Sequence, residues 1–64
     1  MSDFKARLNQ EIEELVEKLK KLESFIDSDK FASIPEMQRQ LLLIQAPAMR
    51  TYLHVLGLRI ALLE

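Results

Sequence analysis

Apolar residues follow two different rhythms along this chain. In the first half Leu8, Ile12, Leu15, Leu19, Leu22 and Ile26 recur at alternating steps of four and three. That is the seam of an amphipathic helix packed against one neighbour. Ser2 or Asp3 is placed to cap its first turn, and Glu14 with Lys18 and Glu17 with Lys21 stand four apart in the favourable order. No glycine or proline interrupts residues 1–34, and the spacing predicts a helix from about residue 3 to about residue 27. The rhythm breaks at Asp27-Ser28-Asp29-Lys30, which predicts a turn over about 28–33 with Phe31 as its apolar anchor. Ser33-Ile34-Pro35-Glu36 then reads as a helix start, with Ser33 as cap, Pro35 in the first turn and Glu36 completing a capping box. The second helix is expected over about 34–62. A kink is expected near Pro47, whose ring removes one amide and crowds the carbonyl of Leu43, and Gly57 is a second soft point.

Two long helices on a short connection predict an all-α, antiparallel two-helix hairpin in a single domain. The second helix carries more apolar surface than one partner covers. Leu41, Ile44, Ala48, Val55, Leu58 and Leu62 form one stripe, and Leu42, Met49, Leu56 and Leu63 form another about a quarter turn away. One stripe serves the first helix, and the other asks for a second chain. The expectation is a homo-oligomeric helical bundle, with a dimeric four-helix bundle as the simplest closed form. Gln45, Arg50, His54 and Arg59 interrupt the apolar run, and charge at the centre of a bilayer is costly, so no membrane partner is expected. Met1-Ser2-Asp3-Phe4-Lys5 lacks the apolar core of a signal peptide, which points to the cytosol.

Composition narrows the chemistry. Among 64 residues, nine Lys and Arg face ten Asp and Glu, a net charge of -1 that argues against a dedicated DNA binder. No cysteine, one histidine and one glycine exclude a thiolate or histidine metal centre and a phosphate-cradling glycine loop, and no cofactor is implied. Glu11, Glu13, Glu14 and Glu17 read as a solvated helix face, and His54 as a surface imidazole. No nucleophile stands in a triad-like relation to His54, so the chain is not expected to be an enzyme. Phe4, Phe25 and Phe31 read as packing anchors at the hairpin ends, and Met37 and Met49 as adaptable interface fillers.

One polar pattern stands out. Gln38, Gln45, Tyr52 and Arg59 are spaced seven apart and share a face with Leu42, Met49, Leu56 and Leu63. At core-like positions such groups require partners. They are either a satisfied network that fixes register or the lining of a pocket in which Tyr52 stacks while Arg59 and Gln45 bind a ligand. Between Glu36 and Glu64 there is no acid, yet Arg39, Arg50 and Arg59 lie there, and guanidinium groups fork onto phosphates. A hairpin centred near residue 31 sets Lys18 opposite Gln45 and Glu11 opposite Tyr52, so Glu11 is within reach of Tyr52 or Arg59.

These residues carry a resemblance. Phe25-Ile26-Asp27-Ser28-Asp29-Lys30-Phe31, Leu42-Leu43-Ile44-Gln45, Met49-Arg50-Thr51-Tyr52 and Arg59-Ile60, following the apolar heptad, resemble a group of very short phage and prophage proteins. Pro47 departs from that pattern. The resemblance implies a small phage protein acting on the infected bacterial host from its cytoplasm. It is similar to oligomeric sponges that sequester cyclic nucleotide messengers of anti-phage systems such as CBASS. It implies immune evasion by ligand capture and does not identify the messenger. With a cyclic di- or trinucleotide as candidate ligand at protomer interfaces, the residues expected to bind it are Tyr52, Arg59, Gln45, Arg50 and Lys18. Two other readings stand beside it. One is an inhibitor that lays Leu43 and Leu53 on a host protein, and the other is a structural coiled-coil accessory.

Overall fold

The computed structural model describes residues 2–63, and its architecture follows from which face of each helix is greasiest. Helix α1 (Ser2–Ile26) and helix α2 (Glu36–Leu62) are joined by a short 3-10 turn, Asp29–Ser33. Contacts run in opposite order along the two helices, Glu11 to Tyr52 and Glu23 to Arg50, so the hairpin is antiparallel. It is a rod of 47 × 15 × 13 Å. The capping expectation for α1 falls partly on Ser2, whose side chain lies outside the described residues. Asp3 sits inside the first turn, where its charge opposes the helix dipole favourably. Glu14 accepts a bond from Gln10 Nε2 at 3.2 Å rather than pairing with Lys18.

The α1 seam packs as its spacing requires: Leu8, Leu15 and Leu19 are buried, and Ile12 packs against them. On α2 the facing seam is Leu42, Ala46, Met49, Leu53, Leu56 and Ile60, again at steps of four and three. Leu56 is completely buried, against Leu8 and Leu15. Leu53 is half-buried in this seam and so is not a free docking residue. Met49 likewise packs inside the hairpin, whereas Met37 is exposed.

The turn closes on local bonds. Phe25 and Phe31 meet edge to face with centroids 6.0 Å apart, which anchors the exit from α1. Ser28 Oγ donates to the Phe25 carbonyl at 2.6 Å. Ser33 does not cap α2. Its hydroxyl donates back to the Lys30 carbonyl at 2.7 Å, and α2 starts only after Pro35, whose carbonyl accepts from the amide of Arg39. Arg39 does the joining instead, its Nη1 donating to the Ile34 carbonyl at 2.5 Å and to the Ala32 carbonyl at 3.2 Å. Pro47 lies inside α2 at an exposed position, and Thr51 Oγ1 donates to its carbonyl at 3.1 Å.

The other α2 stripe is uncovered. Leu41, Ile44, Val55, Leu58 and Leu62 are all exposed, Leu62 by 85%. By length and composition α2 is long and apolar enough to cross a membrane. Its apolar surplus lies on the side turned away from α1.

Candidate functional site

The seams divide the hairpin surface into two flanks. On α2 one flank carries Gln38, Gln45, Tyr52 and Arg59, and all four are exposed. The expectation of core-like polar positions is therefore corrected. The seam is set by Ala46, Leu53 and Ile60 as well as by Leu42, Met49 and Leu56, and this turns the ladder outward. The same flank of α1 carries Phe4, Glu11, Lys18 and Phe25, also seven apart. The antiparallel register brings Phe4 and Arg59 to one cleft and Glu11 to Tyr52.

The Tyr52 hydroxyl donates to Glu11 Oε2. The bond to Glu11 holds the phenol's pKa above its ordinary value. Desolvation and the negative charge of Glu11 push the same way, and the positive charge of Arg59 opposes them. Next to this pair, Phe4, Arg7, Leu8, Glu11 and Arg59 line an open cleft of about 260 Å³ at the open end of the hairpin. Glu11 is tied to Tyr52, while Arg7 and Arg59 make no hydrogen bond or ion pair among the described residues. Phe4 is 47% exposed, a face on the cleft rather than the packing anchor expected of it. Two guanidinium groups and an aromatic face thus share one cleft, with the Tyr52 phenol bonded to its Glu11 wall. Such a set grips phosphate by forked hydrogen bonds and stacks a flat ring.

The five residues selected from sequence do not form one cluster. Tyr52 and Arg59 meet at this end. Lys18 and Gln45 lie further along the same flank, both exposed, and Gln45 Nε2 sits 3.7 Å from Met49 Sδ on its own helix. Arg50 is on the opposite flank, bound to Glu23 Oε2 at 2.5 Å, and lines a second cleft of about 350 Å³ with Ile26, Asp27 and Leu43. A guanidinium already paired with a carboxylate is a poorer phosphate ligand than the two unpaired ones. Arg7 and Phe4 were missed. The seven-residue repeat Phe4, Glu11, Lys18, Phe25 and the position of Arg7 one turn before Glu11 were the signals available for finding them.

No solved structure matches the chain. A protein of Enterobacteria phage T4, described as an uncharacterized 7.5 kDa protein in the denB-rIIB intergenic region, is 34% identical over 61 residues, covering 95% of each chain. The family model named Sequestin matches residues 2–62. Matched over nearly its whole described length, the chain belongs to the Sequestin family, phage proteins of the sequestering, sponge type.

Proposed function

We propose that this protein sequesters a cyclic nucleotide signal of host anti-phage defence, without turning it over, in the cytoplasm of the infected bacterium. The observation that carries this reading is the end cleft lined by Phe4, Arg7, Glu11 and Arg59, where the two guanidinium groups are unpaired among the described residues and Tyr52 is bonded to the Glu11 wall. Guanidinium groups take the phosphates and the aromatic faces take a base. Family membership supports capture over catalysis. A sponge requires binding groups and no nucleophile or general base.

The reading includes self-assembly. A cleft of about 260 Å³ covers one part of a cyclic di- or trinucleotide, since whole small-molecule sites run from roughly 300 to 1,000 Å³ and bury most of the ligand. The uncovered stripe Leu41, Ile44, Val55, Leu58 and Leu62 supplies the face on which a second copy packs. Closure by that copy completes the pocket between protomers. Gln45 and Lys18, on the same flank, line its continuation.

The test is a thermal-shift screen of purified protein against cyclic di- and trinucleotides, with sedimentation velocity at micromolar concentration. A selective shift lost in Arg59→Ala, in an assembly of unchanged size, supports the proposal. Saturating ligand at a hundred times Kd stabilises by about 2.7 kcal/mol. No shift with any nucleotide overturns it in favour of a host-protein partner on the exposed Leu43 face. A monomer that floats with lipid vesicles assigns the apolar face of α2 to a bilayer instead.

A further inference from the structure

The charge of the end cleft says what kind of phosphate it takes, an inference that rests on the functional reading above. Arg7 and Arg59 bring two positive charges to the cleft, and Glu11 brings one negative charge. Tyr52 adds no charge, since a phenol with an ordinary pKa of 10.0 is neutral at physiological pH and the bond to Glu11 only raises it further. Among the described residues the lining therefore holds a single net positive charge. A phosphodiester carries one negative charge and balances it. A terminal phosphomonoester carries about -1.5 to -2 near neutral pH and overfills it, with the excess set against the Glu11 carboxylate.

We propose that Glu11 is a specificity-determining residue that makes this cleft select internal phosphodiesters, as in a cyclic nucleotide, over the terminal phosphates of linear nucleotides. Without it the same two guanidinium groups form a doubly charged clamp, well suited to the mononucleotides that fill every cell. A binder that never turns over is useless once saturated by such bystanders, and one carboxylate in the cleft guards against that. The bond from Tyr52 fixes the carboxylate on the cleft wall, so its charge acts at a defined place.

The experiment is calorimetric titration of the full chain with a panel of cyclic di- and trinucleotides and the linear, 5′-phosphorylated form of each. The wild type is expected to prefer the cyclic form. Glu11→Gln is expected to tighten the linear form about three- to tenfold more than the cyclic form, the size of removing one like charge several ångströms away near a protein surface. Arg7→Gln, which lowers the cleft charge, should widen the preference instead. Cyclic binding with an unchanged cyclic-to-linear ratio in both variants overturns this proposal and leaves the functional reading intact. A panel in which no cyclic nucleotide binds the wild type overturns both.

Discussion

Leu56, at 0% exposure, is the most deeply buried of the described core residues, and its truncation opens a void in the seam. Its side chain is fully buried between Leu8 and Leu15, so Leu56→Ala removes its outer carbons from the tightest part of the seam. Leucine-to-alanine changes in cores cost about 2–5 kcal/mol, depending on how far the surroundings collapse into the void. Two helices hinged at one end collapse more readily than a closed core, so a loss of about 2–3 kcal/mol is expected. A domain of this size rarely draws more than about 3–5 kcal/mol from one core, so the variant retains little stability. The assay is urea denaturation followed by far-ultraviolet circular dichroism, read as a shift of midpoint at constant slope. Leu58→Ala, at a position 54% exposed on the outer face, is the control. It should change stability by less than about 0.5 kcal/mol in an isolated hairpin. In an assembly its cost approaches that of Leu56→Ala and depends on protein concentration. An unmoved midpoint for Leu56→Ala would refute the seam assignment altogether.

Two further outcomes are expected. Tyr52 is the one tyrosine in the chain, so its ionisation is read directly by ultraviolet absorbance. Its folded-state pKa is raised from 10.0 by the bond to Glu11, so the folded state holds the proton more tightly. That contribution to stability is fully present below pH 10 and is lost as pH climbs through the raised value. Glu11→Gln should bring the titration midpoint down, and an identical titration in the two proteins shows that the bond does not form in solution. Pro47→Ala restores one amide inside α2 and should raise the thermal midpoint, by up to about 3 kcal/mol of stability if the proline behaves as in a regular helix interior. A lowered midpoint would show that the local geometry at Pro47 serves packing.

Much of this architecture is written in local pattern. The steps of four and three in α1 name Leu8, Ile12, Leu15 and Leu19 as its inner face, because a helix with one partner must keep that period. The meeting of Glu11 with Tyr52 follows from the turn position alone. The inner face of α2 is harder to read, since leucine and isoleucine occur nearly all round it. Small Ala46 and the positions of Leu53 and Ile60 decide the matter, and only docking reveals their weight. The start of α2 misleads for a different reason. Ser33 has two nearby carbonyl and amide choices, and Arg39, reaching back from inside the helix, ties the turn together in its place. The site shows the same division. Seven-residue spacing marks Tyr52 and Arg59, but it does not tell which arginine already has a carboxylate. The bond between Arg50 and Glu23 is a matter of register across two chains of side chains.

The end cleft sits as far from the connecting turn as the hairpin allows. Phe4 and Arg7 come from the beginning of α1 and Arg59 from the end of α2, so the tips that fray first in any pair of helices form its two walls. Anything that bridges those walls works as a clasp, closing by contact a ring whose other side is closed by the backbone. Such a bridge restrains the ends where fraying begins, and every leucine layer of the seam between them and the turn gains from it.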